Sequence, residues 1–102
     1  MYARVTTFHL KIDKHEEAIE IFRNSILPEA KQQTGFKGAS FFVQRNAGKF
    51  VSITVWNNMD AAVENQKTGY YQKQLDKFTD LQVVPPEFEG YSVPVLDYIT
   101  GE

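Results

Sequence analysis

The amino-acid sequence predicts an α+β domain of the split βαβ, ferredoxin-like kind, in the order β-α-β-β-α-β, with a four-stranded antiparallel sheet and both helices on one face. Three observations carry this prediction. The stretch "GFKGASFFVQRNAGKFVSITVW", Gly35 to Trp56, is two β-rich runs around "NAG", a hairpin signature because Asn and Gly tolerate positive φ. Apolar residues at helical spacing precede and follow it, from Ala18 to Ala30 and from Met59 to Phe78. Each end of the chain contributes one further β-rich run.

The first strand, Tyr2 to Ile12, mixes Val, Thr, Phe and Leu with polar residues, the pattern of a strand covered on both faces. Asp13 is placed to cap the first helix, with Glu16 and Glu17 in the first turn, where the helix dipole favours negative charge. Ala18, Ile19, Phe22, Ile26, Leu27 and Ala30 make its apolar stripe. Pro28 lacks an amide hydrogen and crowds the preceding turn, so a kink or break is expected between Asn24 and Leu27. Gly35 is expected as the C-terminal cap. With Asn46–Gly48 as a three-residue loop, Val43 faces Val51, Phe41 faces Ile53 and Ala39 faces Val55 on one side of the hairpin. Ser40, Phe42, Ser52, Thr54 and Trp56 then share the other side, which is too polar for a dry core and too apolar for open water.

Asn57 is expected to cap the second helix, with Asp60 as a capping-box acid and Met59, Ala62, Val63 and Gln66 as the inner stripe. Gly69 breaks this helix, and Tyr71, Leu75 and Phe78 resume the helical period. "VVPPEFEG" reads as a rigid connector, because consecutive prolines favour extended backbone. Tyr91 to Ile99 is the last strand, at an edge or bulged on account of Pro94. One face of such a sheet has no cover, which predicts a homodimer formed through it.

Composition narrows the function classes. A chain of 102 residues fits one domain, residues 1–102, that buries roughly two thirds of its unfolded surface. With 8 Phe and 5 Tyr, the core should be rich in aromatic rings. A formal net charge of -2 with scattered basic residues supplies no basic stripe for phosphates, so nucleic acid is not an expected partner. There is no cysteine, which removes disulfides, thiolate nucleophiles and Cys-based metal sites. No apolar run reaches the length of a membrane span and the N-terminus lacks the order of a signal peptide, so a cytoplasmic protein without a membrane partner is expected.

The segments "ILPEAKQQTGFKGASFF", "ITVWNNMDAAVEN" and "TDLQVVPPEFEGYSV", in this order and spacing, resemble the antibiotic biosynthesis monooxygenase family of dimeric α+β barrels. The resemblance implies a small cavity in each subunit between sheet and helices. In it, enzymatic members oxidise phenolic or quinol-like aromatics with dioxygen, many without metal or flavin, so no cofactor is expected. Where such members often carry a histidine nine positions after the strand-end tryptophan, this chain has Asn65. An amide holds a phenolic oxygen but takes no proton. The heme-degrading branch fits less well, since Thr6 or Thr7, Asn65 and Leu75 occupy its key positions and no histidine follows His15.

Asn65, beside the inner stripe of the second helix, is the candidate for orienting a substrate oxygen; the alternative is a solvated side chain next to Glu64. His9 on the first strand is the candidate base near neutral pH, or else a surface or interface histidine. Trp56 is read as core that also walls the cavity. Tyr70 and Tyr71 follow the helix break, where a phenol can meet a ligand or pack with its hydroxyl outward. Phe42 and Thr54 complete the proposed wall. His15, in a first helical turn, is read as exposed. Glu16 with Glu17 and Glu87 with Glu89 are solvated acidic clusters, and the two histidines lack metal-ligand spacing, so no metal site is expected. Three functions follow: a cofactor-independent monooxygenase of a small phenolic or quinol-type aromatic, a non-catalytic ligand-binding or structural module, and isomerase-like chemistry on the same scaffold.

Overall fold

Residues 1–97 are described by a computed structural model of the chain. Strand β1 (Tyr2–Leu10) leads into a first helical arm: a 3-10 turn (Ile12–Lys14), α1 (His15–Ile21), a π-helical turn (Phe22–Ile26) and α2 (Leu27–Ala30). The hairpin β2 (Phe36–Gln44) and β3 (Lys49–Trp56) follows. A second arm, α3 (Met59–Lys67) and α4 (Tyr70–Asp76), then reaches β4 (Gln82–Ser92). All strand pairs are antiparallel in the order β2-β3-β1-β4. Each helical arm therefore joins two strands separated by a third, and the fold is the expected split βαβ arrangement.

Even-numbered residues of β1 face the helices. Phe8 and Leu10 there join Phe50 of β3, Phe22 and Ile26 of the π turn, and Phe78 in one buried cluster. Aromatic contacts dominate it, with Phe22 stacked on Phe41 at 4.4 Å and Phe8 tilted against Phe78 at 4.8 Å. His15 belongs to its margin: the imidazole lies 5.2 Å from the Phe50 ring, with Nε2 buried, so it is half-covered and not the exposed residue expected.

The π turn ends two residues before Pro28. Widening the helix there accommodates a proline ring that would otherwise strike the carbonyl of Asn24. Asp13 does not cap; it sits in the 3-10 turn, and Lys14 precedes α1 without a side-chain cap bond. Gly35, with φ of 83°, lies beyond the helix end and turns the chain into β2.

The hairpin loop contains four residues, Arg45 to Gly48, and not three. That single residue moves the register: Phe42 lies opposite Val51, Phe41 opposite Ser52 and Val43 opposite Phe50. Because side chains alternate, a one-residue slip turns one strand over relative to its partner. Phe41 and Val43 thus share the inner face with Ser52, Thr54 and Trp56, while Phe42 points outward and is 55% exposed. The second helix also starts one residue late, capped by Asn58, whose side chain accepts from the Ala61 amide. Its buried side is Ala62 and Asn65, and Met59 is exposed.

The proline segment forms most of β4 and not a connector. β4 is an edge strand and its register against β1 shifts twice, once between Thr7 and His9 where Pro85 and Pro86 lie opposite. An edge with bulges is where a strand tolerates missing amide hydrogens. Of the expected strand Tyr91 to Ile99, Tyr91 and Ser92 end β4, residues 93–97 are irregular, and Tyr98 and Ile99 lie outside the described residues. No described helix is long and apolar enough to cross a membrane.

Candidate functional site

Toward the Trp56 end of the sheet, the inner face changes from phenylalanine to polar and charged residues. Arg4 and Thr6 continue the row of Phe8 and Leu10 along β1, and Ser52, Thr54 and Trp56 continue the row of Phe50 along β3. Tyr70, Tyr71, Gln74 and Leu75 of α4 lie above them, with Phe22 and Ile26 closing the far side. The enclosed space among these residues is about 40 Å³, and the whole recess with its solvent-filled mouth is about 460 Å³. The enclosed part has room for about one or two water molecules held by polar partners.

Arg4 is the unexpected feature. It is 4% exposed, and no carboxylate pairs with it among the described residues. Nη2 donates to the carbonyl of Ala62, and the guanidinium carbon stands 4.1 Å from the centre of the Tyr71 ring and 6.0 Å from Trp56. Burial lowers its pKa from the ordinary value, opposed by the neighbouring phenols of Tyr71, Tyr2 and Tyr70. A guanidinium still keeps its proton in proteins. The site therefore carries a buried positive charge held by π faces and one carbonyl.

The tyrosines stay neutral around it. Burial pushes the Tyr70 phenol up to about 12, with the Glu29 carboxylate adding to the rise and Arg4 opposing it. Burial also raises Tyr71, opposed by its hydrogen bond with Thr6 and by Arg4. Tyr71 Oη and Thr6 Oγ1 are 2.6 Å apart, and the Tyr71 ring meets Phe88 of β4 edge-on. Trp56 is almost fully buried and its Nε1 donates to Thr54 Oγ1 at 3.0 Å, so these two satisfy one another on the cavity wall. Gln74 is 5% exposed; Nε2 donates to Glu29 Oε2 at 2.9 Å, and Oε1 is buried without a partner. Glu29 is also paired with Lys77 at 3.1 Å and Lys73 at 3.5 Å. The hydrogen bond from Gln74, followed by that from Lys77, holds its carboxyl down at about 2.

Trp56, Thr54, Tyr70 and Tyr71 thus line one recess, and three other predicted site residues do not. Phe42 is on the opposite sheet face for the register reason given above. His9 is also on that outer face, opposite Lys49 and Val84. Asn65 is buried rather than solvated, yet it lines a separate recess with Gln33, Thr34 and Thr68, and its Nδ2 donates to the Ala61 carbonyl. Sequence reasoning missed Arg4, Thr6 and Gln74. The signals were present: Arg4 and Thr6 share the parity of Phe8 and Leu10, and Gln74 falls within the Tyr71, Leu75, Phe78 stripe. Among the described residues no three His, Cys, Asp or Glu side chains come together as a metal site.

A split βαβ sheet with an aromatic and cationic recess beneath its helices defines a ferredoxin-like α+β domain. Within that class, the chain belongs to the antibiotic biosynthesis monooxygenase family, whose model matches residues 1–77. Among curated proteins, it is 32% identical over 63 residues to the uncharacterized protein Rv2557 of Mycobacterium tuberculosis, a match covering 62% of this chain. The matched stretch spans only 28% of that relative's length. Solved structures share the fold at low identity. A monooxygenase from the gene ActVA-Orf6 of Streptomyces coelicolor, in complex with nanaomycin D, superposes with a TM-score of 0.78 at 14% identity, over 97% of this chain and 92% of that one. SnoaB, a cofactor-independent oxygenase from Streptomyces nogalater, gives a TM-score of 0.68 at 15% identity, over 93% and 94% of the two chains. A protein of unknown function from Nitrosomonas europaea gives 0.73 at 18% identity, over 98% and 95%.

Proposed function

We propose that this protein is a cofactor-independent monooxygenase acting on a small phenolic or quinol-type aromatic, with Arg4 holding the ionised oxygen of the substrate. The observation that carries this reading is the buried, carboxylate-free guanidinium in an aromatic recess. Oxygenation without a prosthetic group needs an electron-rich substrate anion. A fixed cation in a water-poor site stabilises such an anion far better than water does. For a ring methylene beside a phenolate, the balanced step with dioxygen gives a carbonyl and one water, and all the electrons come from the substrate. One oxygen atom bonds to carbon and the other leaves with both methylene hydrogens.

Among the described residues, the lining contains no histidine or carboxylate. The phenolic proton therefore goes to solvent, driven by the drop in substrate pKa that Arg4 imposes. An aromatic ring exceeds the enclosed space, so half-buried Tyr71 and Leu75 at the mouth must move aside. Swinging Tyr71 breaks its bond to Thr6 and uncovers Arg4. A homodimer through the outer sheet face belongs to the same reading, with Val5, Val51, Ile53 and exposed Phe42 forming the contact.

The lack of a neutral-pH base among the described lining residues favours one second reading, a binding module that holds the same ligand class without turning it over. Oxygen consumption by metal-stripped protein against hydroquinones, anthrones and catechols separates the two. Uptake above the spontaneous rate is expected of the oxygenase. Saturable binding without uptake identifies the module.

A further inference from the structure

Gln74 presents an acceptor that no described residue uses. Its side chain lines the recess, it is 5% exposed, and Oε1 is buried without a hydrogen-bond partner. Buried acceptors of this kind are rare in folded proteins and call for a specific cause. An amide can in general be turned to exchange its oxygen and nitrogen. Here Glu29 prevents it, because the carboxylate receives Nε2 at 2.9 Å and would repel an oxygen in that place. Glu29 is itself kept ionised by Gln74 and by Lys77 at 3.1 Å, with its carboxyl held down at about 2. The orientation of Gln74 is therefore imposed from the outer side of the helical layer, from Lys77 through Glu29 to the amide, and its oxygen is left without a partner among the described residues.

We propose that Gln74 Oε1 accepts a hydrogen bond from a second hydroxyl of the ligand, with Glu29 acting as the positioning residue that fixes the amide. This rests on the reading of the recess as an aromatic-ligand site, and it specifies the substrate class: a dihydroxylated aromatic, one oxygen ionised at Arg4 and another protonated at Gln74. The two polar groups differ in what they demand. Arg4 offers only donors and selects an acceptor or anion; Gln74 Oε1 offers only an acceptor and selects a donor. A monophenol satisfies one of them. A ligand that lacks the second hydroxyl leaves a buried acceptor unpaired, and sites built for a hydroxyl discriminate strongly against such analogues.

The test is binding without turnover. Isomeric dihydroxynaphthalenes and their monomethyl ethers are titrated under anaerobic conditions, with quenching of Trp56, the single tryptophan of the chain, as the signal. At least one isomer should bind the wild-type protein about tenfold or more tighter than its ether. In Gln74→Met that ratio should fall to about twofold or less, while Arg4→Met weakens both ligands in parallel. Glu29→Leu, which frees the amide, should lower the ratio, and Glu29→Gln, which keeps an acceptor for Nε2, should restore it. A ratio unchanged in Gln74→Met of wild-type circular dichroism and urea midpoint overturns the proposal, as does the lack of any isomer that outbinds its ether. Loss of oxygen uptake with the binding ratio intact counts against the oxygenase reading alone.

Discussion

Replacing Arg4 by methionine separates two roles that a buried residue can have. Methionine keeps the length and packing of the aliphatic stem and deletes the charge. On the stability side, the change removes a charge-assisted hydrogen bond to the Ala62 carbonyl, worth roughly 1.5 to 3 kcal/mol. It also removes a contact with the Tyr71 face at 4.1 Å, worth about 0.5 to 2 kcal/mol. Against these stands the release of an unpaired ion from the interior, whose burial costs several kcal/mol. The opposing contributions nearly cancel, so Arg4→Met should change unfolding free energy in urea by no more than about 2 kcal/mol in either direction. Affinity for an ionised phenol has no such compensation. Loss of one charge-assisted contact should weaken binding by roughly 10- to 150-fold, while a neutral aromatic of the same shape should change by less than about threefold. Titrations of Trp56 fluorescence with an ionised naphthol and with naphthalene measure both. Equal weakening of the two probes, or a stability loss well beyond about 3 kcal/mol, would refute the assignment of Arg4 as an anion site.

Four further outcomes follow from the same geometry. Glu29 has its carboxyl lowered from 4.5 to about 2 in the fold, so the stability it contributes is complete above pH 4.5 and disappears as pH falls toward 2; urea midpoints of Glu29→Gln should therefore lose part of the wild-type acid dependence in that window. Tyr70 has the opposite sign, raised from 10 to about 12: its contribution is present below pH 10 and lost on rising to 12, and a spectrophotometric titration should show late-ionising phenol that Tyr70→Phe removes. Leu75→Ala at the recess mouth should cost about 1 to 3 kcal/mol and strengthen binding of two-ring aromatics, and weaker binding of those probes would show that Leu75 does not limit entry. Light scattering at micromolar concentration should give a dimer, and a monomer there would remove the outer sheet face as an interface.

The legible part of this chain was what depends on period and punctuation. The two helical arms, the hairpin, the interruption before Pro28 and the break at Gly69 follow from local rules, and the antiparallel split βαβ sheet follows from their order. Register was not legible, because one extra loop residue at Arg45 is locally neutral yet moves Phe42 from the cavity face to the outside. The proline-rich β4 was misread because edge position and bulges, which make Pro85 and Pro86 tolerable, are properties of the sheet and not of the segment. Of the residues that line the recess, Trp56, Thr54, Tyr70 and Tyr71 were singled out by residue type. Arg4 was passed over because an arginine in a strand is ordinarily solvated, and only the packing of α4 over β1 reveals that this one is enclosed. Gln74 was hidden for the same reason: its meaning depends on Glu29, a residue 45 positions away.

The central claim is that this chain inserts oxygen into an ionised aromatic using only its own residues, with Arg4 as the anion site. Its most direct test is product analysis after reaction of metal-stripped protein with an anthrone under 18O2. The account predicts product carbonyl carrying a single labelled oxygen, formed faster than in buffer by wild-type protein and at close to the buffer rate by Arg4→Met. Label incorporation no faster than in buffer, or equally fast in Arg4→Met, would contradict it.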